Sequence, residues 1–475
     1  MQPSLHIEPL PYHSESARWF LRIRHLPNAI WLDSGHPGSR YGRFDILAAD
    51  PQCLLETRGE ITKIFFHDCM QQESSEDPFT LLKKILLVNP TAEHESIPFV
   101  GGAMGYFAYD LGRRLEKIPT IAQNDINLPD MCIGIYPWAI IQDHQTQQAW
   151  LVINEDLSRE VSGTYEFSQI KSLLRGTNLS EPGPKQFIQK NIFTISEFKN
   201  NIDLDQYQFA LSEIKNYIRA GDCYQVNFAQ RFSAQFKGEP LSAYLALREQ
   251  LPSPYSAFMQ TNHGDILCLS PERFVKVKNR RVETRPIKGT IKRGINAEED
   301  RKNAEWLKRS EKNRAENVMI VDLLRNDLSK HCVNVEVPTL CELQTFANVH
   351  HLVSTVVGEM TDQTSAIDVL CDSFPGGSIT GAPKIRAMEI IEELEFTRRS
   401  IYCGSLGYIS ADGQMDTNIA IRTLVCNEGK VHCWGGGGIV ADSETEQEYL
   451  ESIAKVQVLM KTLENNFQRV NKIED

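Results

Sequence analysis

The chain has 475 residues, 41% of them hydrophobic and 24% charged, and a formal net charge of −12. That length holds one very large domain or two to three smaller ones, and the acidic balance argues against general nucleic-acid affinity. An anionic substrate would therefore have to be met by a metal ion or by a few aimed basic residues.

Met1-Gln2-Pro3-Ser4-Leu5-His6 has no basic region followed by an apolar run, so no secretory signal is read there. Apolar runs such as Val318–Leu324 are short and contain Asp322, which excludes a membrane-spanning helix. The eleven cysteines form no Cys-x-x-Cys pair, and His350-His351 has no companion ligands at zinc spacing. The expectation is a cytoplasmic protein with reduced, mostly buried thiols.

From about Leu5 to Arg175, short apolar segments such as Phe44–Ala48 and Trp150–Ile153 alternate with turns, as in a mixed α/β region. Residues 176–193 are polar and bear Pro and Gly, and are read as a linker between an N-terminal region, 1–175, and a second region, 195–465. Tyr207–Ala220 has helical periodicity and stops at Gly221. Ala297–Lys330 is rich in helix formers and predicts one long helix through its centre. Gly404–Ser410, Met415–Cys426 and Lys430–Trp434 predict three antiparallel strands joined by Ala411-Asp412-Gly413 and Asn427-Glu428-Gly429 turns. Strand periodicity puts Asn418, Ala420 and Arg422 on one face, away from Ile419 and Ile421. Ser443-Glu444-Thr445-Glu446 predicts a capping box opening a helix from about Thr445 to Asn465. On that helix Glu448, Glu451 and Lys455 share a face, which on pattern alone reads as solvated with one Glu-to-Lys pair.

Three features carry chemistry. Lys288 sits in Thr284-Arg285-Pro286-Ile287-Lys288-Gly289-Thr290, behind a proline and just after a predicted strand. It is either a salt-bridged lysine at a strand end or an amine made nucleophilic by burial or a cationic neighbour. The run Phe374–Lys384 is glycine-rich and ends with a proline suited to a helix start. Exposed amides there, with the Thr380 hydroxyl, would bind an anion; a plain tight turn is the alternative. It is not a nucleotide-binding loop, because Ala382 stands where the lysine is required. Gly435–Gly438 strip side chains from a stretch of backbone between a strand and a helix, for close ligand approach, for a nest of amides, or for flexibility alone.

In order and spacing, several runs resemble the chorismate-utilising enzymes. They are Ser270-Pro271-Glu272-Arg273-Phe274, the Lys288 run, Glu316–Asp327, His350–Thr355, Gly376–Lys384, Asn418–Thr423 and Gly436–Ser443. Together they cover roughly Tyr207 to Lys455, with a weaker match through Ser39–Asp45. The resemblance implies an α/β (α+β) fold of two packed antiparallel sheets flanked by helices. It implies chorismate as substrate, its ring carboxylate bound through Mg2+ on Glu316 and Glu451, with Glu448 close by; a few carboxylates suit that ion. Lys455 and Thr380 would lie near the ring carboxylate. The other carboxylate would meet Arg422, Tyr402 and the amides of Gly436, Gly437 and Gly438, and His351 matches the pocket histidine.

By the same resemblance Glu272 is the general acid for the departing ring hydroxyl. Gln225 stands where water-using relatives carry a lysine, which argues against isochorismate or salicylate synthesis. Lys288 separates the aminodeoxychorismate-forming branch from the anthranilate-forming branch, which usually has alanine there. In the former branch the lysine attacks ring carbon two as the hydroxyl leaves carbon four, and ammonia then adds at carbon four and expels it. The implied product is 4-amino-4-deoxychorismate, for 4-aminobenzoate and folate synthesis. Ammonia would come from a separate glutamine amidotransferase subunit, since the chain shows no Cys/His arrangement of that kind.

Two rivals remain on sequence grounds: an anthranilate synthase large subunit, and a non-catalytic sensor of tryptophan or chorismate. Trp31-Leu32-Asp33-Ser34 lies where anthranilate-forming members bind tryptophan through Leu-Leu-Glu-Ser, so Ser34 would line such a pocket, although Trp31 and Asp33 depart from that pattern. Asn313 stands where relatives commonly show aspartate, and altered magnesium affinity is expected from it.

Overall fold

The computed structural model describes residues 5–67, 69–86, 94–159, 167–175, 183–190, 193–346 and 349–469. Two large sheets face each other. The first, of 14 strands, runs from Leu5–Leu10 at one edge through Ile30–Asp33, Tyr255–Thr261 and Thr423–Asn427 to Lys430–Ile439 and Gln225–Gly238. The second, of 12 strands, includes Gly102–Phe107, Ser405–Ser410, Met415–Asn418, Arg273–Lys278 and Ile287–Lys292. Pairing is antiparallel apart from a short parallel contact of Phe193–Ile195 with Gln468–Arg469 and an isolated Gln123–Thr397 bridge. Both sheets mix the two sequence regions: Ser256 pairs with Asp33 in the first, and Leu406 with Tyr106 in the second.

Strand periodicity decides which residue meets which layer. Ile30 and Val425 join Met104, Ile133 and Val275 in the core between the sheets. Their neighbours Trp31, Leu424 and Cys426 point the other way, under helices that bring Phe20, Tyr244, Leu247 and Leu459. Each apolar strand residue thus leaves water on one face or the other, and such burial is the main stabilising term of the fold. Among the described residues no helix is long and apolar enough to cross a membrane. The cysteines are free thiols, nine of them buried.

Several local expectations hold. The helix Leu204–Ala220 starts with an Asp203 capping box and ends at Gly221, whose φ of 85° suits glycine. The turns at 411–413 and 427–429 join their strands as read.

Others are corrected. The long helix is two helices, Ala297–Arg309 and Glu311–Ser329, broken where Ser310 turns extended and its hydroxyl accepts the Asn313 N–H. A serine among helix formers is a helix start, which composition alone did not separate from a helix interior. The strand read from Met415 to Cys426 is two strands in different sheets; residues 419–422 cross between them, with Arg422 at φ 50°. The shared face of Ala420 and Arg422 therefore does not exist. Gly435–Gly438 are not a strand-to-helix junction but part of the strand Lys430–Ile439, paired from Gln230–Gly435 to Asn227–Gly438. Glycine is needed there because a Cβ on Gly435 would overlap the Ser452 carbonyl oxygen of the C-terminal helix. That helix, Thr445–Asn466, has no capping box: Glu444 makes no side-chain cap, and Ser443 Oγ instead accepts from Val440 N and donates to Glu448 Oε1 at 2.7 Å. Of the expected linker, residues 176–182 and 191–192 lie outside the described residues, while Pro184–Lys190 form a helix.

Candidate active site

Glu272 follows the strand Gly264–Ser270 of the first sheet and begins the turn into Arg273–Lys278 of the second. It is 4% exposed, and its Oε1 accepts a hydrogen bond from Ser378 Oγ at 2.9 Å. Burial pushes the carboxyl up to about 7, against the Ser378 hydrogen bond and the charge of Lys288. A carboxyl in that range is still protonated in part at neutral pH and can give its proton away.

Lys288 lies in the strand Ile287–Lys292, where the register against Val349–Met360 slips between the pairs Ile287–Val353 and Thr290–His351. The bulge at Lys288-Gly289, with Gly289 at φ 83°, re-aims the lysine out of the ladder. Asn313 closes over it, its side chain 3.0 Å from where a Gly289 Cβ would stand, and also bonds Ser310. Lys288 Nζ donates to the Ser378 carbonyl oxygen at 3.0 Å. Burial lowers its pKa and Lys455 acts in the same direction, while Glu316 and Glu272 oppose them.

The glutamates come from two helices. Glu316, in Glu311–Ser329, has its pKa raised by burial against the charges of Lys288 and Lys312. Glu448 is buried and takes hydrogen bonds from Ser443 Oγ and, at 3.3 Å, from Lys312 Nζ. Glu451 pairs with Lys455 at 2.9 Å and has its pKa lowered by it; Lys455 also donates to Gly436 O at 2.8 Å. The helix face read as solvated thus splits, with Glu448 inward and Glu451 and Lys455 at the rim. Gly437 leaves the gap they share: a Cβ there would stand 3.3 Å from Glu448 Oε2 and 3.4 Å from Lys455 Nζ. As the side chains stand, no three of the described His, Cys, Asp and Glu residues form a metal-holding group. Ammonium groups of Lys312 and Lys455 hold the carboxylates instead. The all-oxygen donor set fits a hard divalent cation once those ammoniums give way.

Arg422, brought in by the crossover between sheets, is half-buried, and burial alone lowers its pKa, with no carboxylate to offset it. His351 is buried beside it and pushed down to about 3, by burial and then by the Arg422 charge. The ring is therefore neutral, with Nδ1 2.8 Å from Thr290 Oγ1. Tyr402 is buried parallel to Trp434 at 5.8 Å. Gln225, fully buried, has neither its amide oxygen nor its nitrogen hydrogen-bonded and sits against Gly438. The strand Thr423–Asn427 pairs with this glycine strand only as far as Leu424–Cys433, so beyond that point one edge of the glycine backbone has no strand beside it. Alternate amides on that edge have no ladder partner among the described strands.

Thr380 is fully buried, and its one hydroxyl proton is shared between Gly376 O at 3.1 Å and Gly377 O at 3.4 Å, so an anion would have to draw it from the loop's own carbonyls.

Three residues escaped the sequence reading. Ser378 touches both Glu272 and Lys288, and a hydroxyl inside a glycine-rich loop was the available signal. Lys312 stands one turn before Glu316. Arg399, 1% exposed, donates to Ile379 O at 2.9 Å, Asn227 O at 2.6 Å and the Glu395 carboxylate, which ties the loop to the Gln225 strand. The Arg398-Arg399 pair looks like surface charge in sequence, and nothing local marks it as core.

Ser34 lies elsewhere, in a cavity of about 280 Å³ between the sheets, lined also by Tyr41, Arg43, Tyr255, Lys276 and Asp416. Its hydroxyl is buried without a hydrogen-bond partner. Asp33 is held by Arg248 and Tyr244, and Trp31 packs on Phe20 and Tyr244, away from the cavity.

The sequence and its two-sheet fold match one class of enzyme along most of the chain. This protein belongs to the chorismate binding enzyme family, which it matches over residues 27–461. Aminodeoxychorismate synthase component 1 of Escherichia coli (strain K12) is 45% identical over 452 residues, 94% of this chain and 95% of that protein. Anthranilate synthase component 1 of Aquifex aeolicus (strain VF5) is 37% identical, over 92% of this chain and 89% of that one. The crystal structure of anthranilate synthase component I from Streptococcus pneumoniae TIGR4 superposes with a TM-score of 0.77 at 34% identity, covering 88% of this chain and 92% of that one.

Proposed function

We propose that this chain is an aminodeoxychorismate synthase component, aminating chorismate to 4-amino-4-deoxychorismate for 4-aminobenzoate and folate synthesis. Its ammonia would be released from glutamine by a partner amidotransferase subunit. The observation that carries the reading is the pairing of a half-buried amine with a buried, partly protonated acid, Lys288 and Glu272, on one loop residue. The similarity to the Escherichia coli protein favours it over the anthranilate alternative.

In this reading the neutral Lys288 amine attacks ring carbon two while the bond from carbon four to its hydroxyl breaks. Glu272 gives its proton to that oxygen, which leaves as water. Ammonia adds at carbon four, and the bond from carbon two to Lys288 breaks, returning the amine. The product leaves with one nitrogen gained and one water lost, and Glu272 recovers a proton from the new ammonium or from solvent. Acid and amine must be in opposite protonation states, so the rate should be bell-shaped in pH.

Arg422 and the free edge of Gly436–Gly438 would hold one substrate carboxylate, and Tyr402, His351 and Gln225 would shape the ring pocket. Glu316, Glu448 and Glu451 would hold Mg2+, which when bound would neutralise the ring carboxylate. Lys455 would stand beside it.

Incubation with chorismate, magnesium and ammonia, followed by product identification, tests the proposal. Aminodeoxychorismate is expected; anthranilate plus pyruvate without it would overturn the assignment. The unpartnered Ser34 hydroxyl in its own cavity supports tryptophan as an additional ligand. Equilibrium dialysis with labelled tryptophan should show saturable binding that is lost in Ser34→Phe.

A further inference from the structure

Ser378 occupies the single 3-10 turn Gly377–Ile379 in the glycine-rich loop and is buried. Its two polar ends serve different partners. The hydroxyl donates to Glu272 Oε1 at 2.9 Å, and the carbonyl oxygen accepts from Lys288 Nζ at 3.0 Å. The loop itself is fixed from behind. Thr380 bonds back to Gly376 and Gly377, and buried Arg399 grips the Ile379 carbonyl one residue on. Acid and amine come from different strands of the second sheet and its entry turn, and Ser378 bonds directly to both.

We infer that Ser378 is a positioning residue that couples the general acid to the nucleophile, its hydroxyl selecting the Glu272 oxygen that carries the proton and its carbonyl orienting the Lys288 lone pair. The inference rests on the amination proposed above. The Ile287 backbone N–H also bonds this carboxyl, and a carboxyl whose Oε1 accepts from Ser378 keeps its own proton on Oε2, toward a leaving hydroxyl. A neutral amine has two N–H donors and one lone pair. A carbonyl can take one donor but can never take the lone pair, so the bond to Ser378 turns the nucleophilic electrons away from the loop. One residue thereby sets the angle of two reacting atoms, which is where misplacement is most costly.

The Ser378 donor also favours the ionised form of Glu272, working against burial. The other titratable groups facing Glu272 are Lys288 and the Cys403 thiol, which burial pushes up to about 12. Loss of the Lys288 charge would also raise Glu272, so the Glu272 midpoint is compared only between variants that keep Lys288.

The test compares wild type, Ser378→Ala and Ser378→Thr, with ammonia as donor, across pH. Ser378→Ala should lower kcat by about tenfold or more, as loss of an oriented hydrogen bond to a reacting acid does, with KM for chorismate changed less than about twofold. The limb of the kcat profile that titrates Glu272, identified by its loss in Glu272→Gln, should move up by roughly half a unit to one unit, because losing the donor favours the protonated acid. Ser378→Thr should restore rate and limb together. A rate loss with no limb shift and no rescue by threonine would mark a purely structural serine and overturn the inference, as would an unchanged kcat. The Glu272 carboxyl can also be titrated directly, as the infrared carbonyl band present in each variant and absent when Glu272→Gln is added. That midpoint must rise in Ser378→Ala whichever product the enzyme makes; an unmoved midpoint overturns the inference. Wild type that forms only anthranilate would sink the amination reading instead, and the two failures are told apart.

Discussion

Two buried carboxylates have been pushed in opposite directions: Asp45, on the face of the first sheet turned to the helices, and Glu272, where the chain crosses from the first sheet to the second. At Asp45, burial alone would raise the pKa, but His144 with Nε2 3.1 Å away, then Arg248 and Ser16, bring it down to about 2. At Glu272, burial wins and the carboxyl stands at about 7, although the Ser378 hydrogen bond, the Lys288 charge and the Ile287 backbone N–H oppose it. The same contrast runs through their surroundings. Near Asp45, Asp33 is gripped by Arg248 and Tyr244, and Arg43 by Asp143. Near Glu272, among the described residues, Arg422 has no carboxylate partner and the Gln225 amide no hydrogen-bond partner. Burial perturbs a charge, but its charged neighbours decide the outcome: His144 and Arg248 outweigh burial at Asp45, and Lys288 does not at Glu272.

That contrast can be broken from either side. The largest effect is expected at the amine: Lys288→Ala should cut ammonia-dependent amination by at least about a thousandfold, measured as aminodeoxychorismate formed per minute, since a neutral methyl cannot replace a nucleophile. Next, Glu272→Gln should lower kcat by about 10²–10⁴-fold with KM little changed, because the amide cannot donate the proton that the leaving hydroxyl needs. On the structural side, Asp33→Asn strands Arg248 without its buried partner and should cost about 3–5 kcal/mol in urea unfolding, while kcat of the folded fraction stays near wild type. An Asp33→Asn enzyme with wild-type stability would mean the two regions do not differ as described.

Arg422→Ala should raise KM for chorismate by roughly ten- to a hundredfold, with a smaller change in kcat, as expected for loss of a charged hydrogen bond made in the ground state. The smallest effect is on stability. Glu272 binds its proton more tightly folded than unfolded, with a folded pKa of about 7 against an ordinary 4.5. Its protonation supports the fold fully below the unfolded value, and that support is lost as pH rises through the folded one. Glu272→Gln should therefore be more stable than wild type at pH 8 by about 1–3 kcal/mol, with the difference shrinking toward pH 5. A mutant equally or less stable at pH 8 would show that Glu272 is not held in an unfavourable ionised state.

The pocket was legible where its residues sit in short runs. The runs that hold Glu272, Lys288 and Glu316 carry the family resemblance, and the two-sheet fold was expected from that resemblance. What sequence did not show depends on partners far along the chain. Arg422 is aimed by a crossover between two sheets, and nothing in Ile419-Ala420-Ile421-Arg422 distinguishes that from a continuous strand. Gly435–Gly438 belong in a strand because Gln225–Gly238 pairs with them and the C-terminal helix presses close, both non-local facts. Ser443 looked like a cap because its spacing to Glu446 was right, yet its hydroxyl is taken by Glu448. Thr380 looked like an anion ligand for its place in a glycine loop, while the loop's own carbonyls claim its proton.

The most direct test of the account is the intact mass of the enzyme after brief incubation with chorismate and magnesium in the absence of ammonia, followed by acid quench. The account predicts a wild-type adduct equal to chorismate less one water, mapped to Lys288 and absent from Lys288→Ala. A Lys288→Ala enzyme that forms aminodeoxychorismate at the wild-type rate, with no adduct in either protein, would contradict it.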